Sequence, residues 1–156
     1  MRYHKTRLTL MMPKKLRQIM GKNVITVEPN ATVKNAVKLM NAHEITCVVV
    51  VNREKPIGIV TEQDMVRRVM HKSRIPEKTR VSDIMSKPLI VATPDMHAQE
   101  ASKLMLERNI RRLPVVENER LIGLVTLTDL ISASVQRKMF RRTRLFSPQK
   151  KGTGAS

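Results

Sequence analysis

Two short runs have the residue types and spacing on which chemistry could be built: Thr61-Glu62-Gln63-Asp64 and Thr126-Leu127-Thr128-Asp129. A Thr with an acid three residues later is the pattern of a helix start, where side chains cap backbone N–H groups that have no partner within the helix. The same end of a helix attracts anions, because free N–H groups and the helix dipole both favour a phosphate there. Arg111 and Arg112 add charge-assisted donors that can engage phosphate oxygens in pairs. Capping alone is the plainer account of each Thr–Asp pair and is worth about 0.5–2 kcal/mol for the Thr. The chemistry on offer is binding, with capping beneath it.

Bond making is not indicated. Cys47 lies in an apolar run with no His or basic group beside it, which describes a buried, inert thiol. His4, His43, His71 and His97 show no metal-ligand spacing and read as solvated surface residues. The sequence holds no nucleophile–base–acid set, Walker loop or dinucleotide fingerprint, so neither catalytic residues nor a metal site are expected.

The elements that must position the two Thr–Asp runs are themselves repeated. Sliding the chain by 65 residues superimposes Ile19-Met20 on Ile84-Met85, Pro29 on Pro94, and Lys38-Leu39-Met40 on Lys103-Leu104-Met105. At the same offset Val50-Val51 meets Val115-Val116, Ile57-Gly58 meets Ile122-Gly123, and Asp64 meets Asp129. Each copy reads as a short strand ending at Pro, then an amphipathic helix in which Val33, Ala36, Val37 and Met40 share one face. A β-branched strand follows (Ile45 to Val51 in the first copy), then a polar turn, a second strand and the capped helix. One unit is β-α-β-β-α. At about 60 residues a unit alone is marginal, so the two copies are expected to pack sheet against sheet around a shared core.

The chain has 156 residues with 41% hydrophobic content, enough to fold, and a single cysteine, which excludes an internal disulfide. No apolar run reaches the roughly 18 to 20 residues of a membrane span, and no secretory signal is evident, so a cytoplasmic protein is expected. The net charge of +17 is unevenly placed. Residues 1–18 carry +6 and residues 132–156 carry +7 with no acid in either stretch, which leaves +4 for the body.

The duplicated G-h-h-T-x-x-D runs at Gly58 to Asp64 and Gly123 to Asp129, with the Arg111-Arg112-Leu113-Pro114-Val115-Val116 segment, resemble a tandem pair of CBS (cystathionine β-synthase) domains over about residues 15–133. The first copy departs at Thr46-Cys47-Val48-Val49, where the arginines and the proline are absent. The resemblance implies an α+β fold of two βαββα repeats packed sheet to sheet about a pseudo-twofold axis. The expected divisions are a basic extension at 1–14, a first repeat at 15–72, a linker at 73–79, a second repeat at 80–133, and a basic helix and tail at 134–156.

The family binds AMP, ADP, ATP and sometimes S-adenosylmethionine in two clefts, the Asp of T-x-x-D taking the ribose hydroxyls and the Thr and basic residues facing phosphate. A carboxylate suits that task because it can accept from both hydroxyls of a diol. Carried onto this sequence, one cleft would use Lys22, Ile45, Thr46, Cys47, Arg111, Arg112, Thr126 and Asp129. The other would use Thr46, Cys47, Thr61, Asp64, Lys87, Ile110 and Arg111. The first is the better equipped, adenine nucleotides rank above S-adenosylmethionine, and a homodimer of pairs forming a flat disc is expected.

The ends admit a second reading. From Ser132 onward Val135, Met139 and Arg142 share a helical stripe, while Arg137, Lys138, Arg141 and Arg144 spread over much of the rest. A solvated helix whose stripe packs on the body is the plain account. The sharper one is a polyanion surface for RNA or DNA, with Arg137, Lys138, Arg141, Arg142 and Arg144 on phosphates and Tyr3, Phe140 or Phe146 stacking on bases.

Overall fold

The structure, a computed structural model, describes residues 14–145. It opens with a short helix, α1 (Leu16–Ile19), followed by β1 (Thr26–Val27) and α2 (Val33–Ala42). β2 (Cys47–Asn52) runs parallel to β1 and pairs antiparallel with β3 (Lys55–Thr61), giving a sheet of order β1-β2-β3. Cys47 to Val50 are all buried, as the unbroken apolar run requires of a strand covered on both faces. Thr32 caps α2, its side chain accepting from Asn35 N at 3.2 Å. α3 (Glu62–Asp64) passes directly into a π-helical segment, Met65–Met70.

The second repeat follows the same course through a 3-10 turn (Val81–Asp83), α4 (Ala98–Arg108), β4 (Arg112–Glu117), β5 (Arg120–Thr126) and α5 (Leu127–Leu145). The counterpart of β1 is reduced to one parallel bridge between Ala92 and Val115. Both hairpins close with two residues of positive φ, Arg53-Glu54 and Asn118-Glu119, the geometry that matches strand twist. The two turns face each other across the pseudo-twofold axis and exchange ion pairs: Lys55 with Glu119 at 3.1 Å and Arg120 with Glu54 at 3.4 Å. These pairs are exposed, so they fix orientation more than they add stability.

The repeats are not self-contained. Leu16, at the head of the first repeat, is fully buried in the core of the second, with Ala101, Met105, Leu113 and Val125. Val81 and Ile84, at the head of the second, are fully buried in the core of the first, with Val33, Ala36, Val48 and Val60. The backbone repeats this exchange at the same 65-residue offset. Leu16 N donates to Met96 O and Val81 N to Ala31 O, both at 2.9 Å, while Arg17 N donates to Pro94 O at 3.0 Å and Ser82 N to Pro29 O at 3.1 Å. Each buried aliphatic is worth about 1.5–3 kcal/mol, so each core draws a substantial contribution from the other repeat's sequence.

Gly58 and Gly123 make room for the crossing segments. Met85 lies where a Cβ on Gly58 would be, and Met20 where a Cβ on Gly123 would be. Backbone bridges Ile59–Ser86 and Gly21–Leu124 then add each crossing segment to the free edge of the other repeat's hairpin.

Residues 73–79, expected as an exposed linker, are exposed at Ser73, Arg74, Ile75, Glu77 and Lys78, and their backbone is tied to the first repeat. Pro76 O accepts from Lys34 N at 3.1 Å and Thr79 O from Val33 N at 2.8 Å, so the segment satisfies N–H groups at the start of α2. Thr79 is buried accordingly. The outer parts of the two basic ends, including Tyr3 and Phe146, lie outside the described residues. Of the basic side chains expected on α5, Lys138 is exposed; those of Arg137, Arg141, Arg142 and Arg144 lie outside the described side chains.

Candidate functional site

Both Thr–Asp pairs do form caps. Thr126 N donates to Asp129 Oδ2 at 2.8 Å, Thr126 Oγ1 donates to the same oxygen at 2.9 Å, and Asp129 N donates back to Thr126 Oγ1 at 3.2 Å. Thr61 N and Thr61 Oγ1 reach Asp64 Oδ2 at 2.8 and 3.0 Å. In each pair one carboxylate oxygen is taken by the cap and Oδ1 is turned elsewhere.

Around Asp64 the structure encloses a cavity of about 440 Å³. Its walls come from both repeats: Thr61 and Asp64 at the junction of β3 and α3, Ser86 on the crossing segment, and Ile110, Arg111 and Arg112 at the entry to β4. The strand end and the two loops meet here because Ser86 pairs with Ile59 of β3, while Leu127 N holds the Arg111 carbonyl at 2.9 Å. The cavity therefore brings the carboxylates of Glu62 and Asp64 and the hydroxyls of Thr61 and Ser86 together with two guanidinium groups and apolar Ile59 and Ile110. Its size lies in the range of small-molecule pockets, about 300–1,000 Å³.

Of the residues expected in this cleft, Thr61, Asp64, Ile110 and Arg111 come together in it. Lys87 is exposed beside Ser86 and is not among the lining residues. Thr46 and Cys47 are not lining residues either. Thr46 Oγ1 accepts from Arg112 Nη2, and Cys47 is buried in β2 opposite Thr61. Burial pushes the Cys47 thiol above its ordinary pKa and the nearby Arg112 only partly offsets this, so at neutral pH it stays a protonated, unreactive thiol.

Arg111 was expected in both clefts and Arg112 in the Asp129 cleft alone; both line the cavity of Asp64. Arg112 is opposite Thr126 in the strand register, yet its side chain reaches away from that strand to Thr46. The 65-residue correspondence shows what this leaves for Asp129. In place of Asn109, Ile110, Arg111 and Arg112 stand Glu44, Ile45, Thr46 and Cys47, and in place of Ser86 stands Gly21. Glu44 has the same left-handed backbone as Asn109, φ 52 against 50. The positions that supply two cations to one cleft thus supply none to the other; Glu44 adds an acid there, as Glu62, whose counterpart is Leu127, adds one to the Asp64 cleft. Lys22 is exposed next to Gly21.

Ser86, Asn109 and Arg112 were absent from the expectations for the Asp64 cleft. Among the described histidines His43 and His71 are exposed, as expected; His97 differs, half-buried at the start of α4 with Nδ1 enclosed and unpartnered. Among the described residues no cluster of three or more His, Cys, Asp or Glu could hold a metal, and no helix is long and apolar enough to cross a membrane.

A family model for the CBS domain matches residues 16–71 and again residues 81–136. An uncharacterized protein of Methanopyrus kandleri is 41% identical over 116 residues, which is 73% of this chain and 59% of that protein. The chain thus spans somewhat over half the length of that relative. The CBS domain-containing protein YhcV of Bacillus subtilis is 36% identical over 115 residues, 74% of this chain and 81% of that one. Among solved structures, the CBS domain NE2398 superimposes with a TM-score of 0.75 at 27% identity, over 80% of this chain and 99% of that one.

Proposed function

Because the chain belongs to the CBS domain family, as a tandem pair whose members are regulatory and non-catalytic modules, we propose that it binds an adenine nucleotide in the Asp64 cleft and signals occupancy to a partner. One observation carries the reading: a single cavity joins Thr61 and Asp64 of the first repeat to Arg111 and Arg112 of the second. In this reading Asp64 accepts from the ribose hydroxyls, the guanidinium groups and the first turn of α3 meet the phosphates, and Ile59 and Ile110 flank the base. The arginines favour AMP, ADP or ATP over S-adenosylmethionine, whose sulfonium they would repel. The Asp129 cleft, with Thr46 and Cys47 at the positions matching Arg111 and Arg112, contributes little to phosphate binding.

The homodimer expected of the family has a surface to use. Val66 and Met70 are exposed, as are their counterparts Ile131 and Val135, and an apolar groove of about 690 Å³ runs between α2 and the π-helical segment. Burying such a repeated apolar face in a second copy would remove it from water. Calorimetric titration with AMP, ATP and S-adenosylmethionine tests the assignment, with sedimentation reading the oligomer. One phosphate-bearing nucleotide per chain is expected, and Asp64→Ala should weaken it at least tenfold while Asp129→Ala leaves it nearly unchanged. Equal loss in both variants, or no heat from any nucleotide, would sink the assignment.

A second reading, binding of RNA or DNA by the basic ends, has one structural observation in its favour. Lys14 Nζ donates to Gln136 Oε1 at 3.2 Å, and Lys14 O accepts from Ala98 N at 2.9 Å. The first described residue, Lys14, therefore lies against α5 just before its basic stretch. With about six phosphate contacts, duplex affinity should fall with a log–log salt slope of roughly −5. Removing residues 1–13 and 134–156 should abolish binding in gel shifts; retention of binding by that variant would assign it elsewhere.

A further inference from the structure

Asp64 is held differently from Asp129, and part of the difference lies outside the cavity. Asp64 Oδ1 accepts from Ser86 Oγ at 3.4 Å and lies 3.5 Å from Arg68 Nη1. That same guanidinium nitrogen donates to the carbonyl of Ile84 at 2.7 Å. The counterparts of Ser86 and Arg68 at the 65-residue offset are Gly21 and Ala133, neither of which has a side-chain donor. Arg68 is not among the residues lining the cavity. It stands behind Asp64, on the π-helical segment, where His71 N bonds Val66 O at 2.9 Å and Arg74 N bonds Val69 O at 3.0 Å, five residues back. The matching stretch of α5 is an ordinary α-helix.

One carboxylate oxygen thus joins three parts of the molecule: the cavity, the crossing segment through Ile84 and Ser86, and the π-helical segment through Arg68. Its partner oxygen, Oδ2, is already occupied by two donors from Thr61. A diol arriving at Asp64 must therefore use Oδ1. The contacts it meets there are long for charge-assisted bonds, which run about 2.7–2.9 Å, so they yield readily to a hydroxyl at close range. The π-helical segment also carries Val66 and Met70, exposed beside the apolar groove, and π-helical turns are often found where a helix serves a function.

We propose that Arg68 is a positioning residue that couples the Asp64 cleft to the π-helical segment: a ribose diol takes Oδ1 from Arg68, and the segment bearing Val66 and Met70 loosens. This rests on the reading of the Asp64 cleft as a nucleotide site. Arg68 in this role opposes binding, the reverse of what an arginine in contact with phosphate would do.

The test is amide hydrogen exchange on the full chain with and without saturating ADP, joined to calorimetry, for the wild type and Arg68→Met. In the wild type ADP should speed exchange at His71 and Arg74 several-fold. In Arg68→Met those amides should already exchange fast, ADP should change them little, and ADP should bind about 3-fold more tightly, the effect of one weak ion pair. Weaker binding by Arg68→Met, or an undiminished response in it, overturns the proposal. Should Arg68→Met fail to fold, Ser86→Gly, which copies Gly21, should bind more tightly and keep the exchange response; weaker binding by it counts equally against. A wild type that takes no ADP removes the nucleotide reading together with this one. A wild type that binds ADP with no change at His71 and Arg74 removes the coupling alone.

Discussion

Gly123→Val should lower stability by about 2–4 kcal/mol, and the melting temperature by roughly 10 °C, without touching any residue of the cleft. Gly123 has a negative φ, so the cause is space rather than backbone freedom. A Cβ there would lie 2.8 Å from Met20 Cγ and 3.1 Å from the carbonyl oxygen of Gly21. The methionine can rotate aside, but the carbonyl cannot, since Gly21 and Leu124 exchange two backbone hydrogen bonds of 2.9 Å at that point. Overpacking therefore costs about 1–3 kcal/mol and the strained bridge about 1 kcal/mol more. Gly58→Val should cost less, because every close atom there belongs to Met85. Thermal and urea melts read both, and a cycle with Met20→Ala should recover only part of the Gly123→Val loss. A Gly123→Val melting point within 2 °C of the wild type would show that the crossing segment does not depend on this gap.

The largest effect on binding is expected from Arg111→Ala/Arg112→Ala. Each guanidinium bonded to phosphate is worth about 1.5–3 kcal/mol, so together they should cost ATP about 100-fold or more in affinity. Adenosine, which lacks the phosphates, should lose less than about 3-fold. Arg112 also donates to Thr46, so the variant's melting temperature must be read alongside. Calorimetry with ATP and adenosine separates the cases: equal losses for both ligands would mean that the arginines shape the cleft instead of meeting phosphate.

Much of the fold could be read from the chain because a duplication states each element twice. Val48 to Val51, repeated around Val115, identifies the central strand by its unbroken burial, and the two Thr–Asp pairs locate both helix starts. The exchange of leading segments was hidden, since Leu16 precedes the repeat whose core it does not enter. Nothing in its local pattern distinguishes the two destinations. The same blindness hid the place of Arg112. It lies opposite Thr126 in the strand register, and only the three-dimensional meeting of the two repeats brings it to the cavity of Asp64.

A comparison of copies also favours what is shared. It singled out Asp64 and Asp129 and passed over Ser86 and Arg68, whose partners Gly21 and Ala133 erase the likeness. In a pseudo-symmetric molecule the two clefts diverge at these unmatched positions, so the search for function gains more from the mismatches than from the repeat that exposes them.

The crossing segments bear on how the chain comes off the ribosome. When residue 72 has been made, the first repeat has its strands and helices but not Val81 or Ile84, and Leu16 has no pocket to enter. Its core can close only after about a dozen more residues emerge, and Leu16 waits until Leu113 and Val125 exist. The usual order, in which an N-terminal unit finishes before its successor begins, is thereby replaced by one closure that both halves reach together.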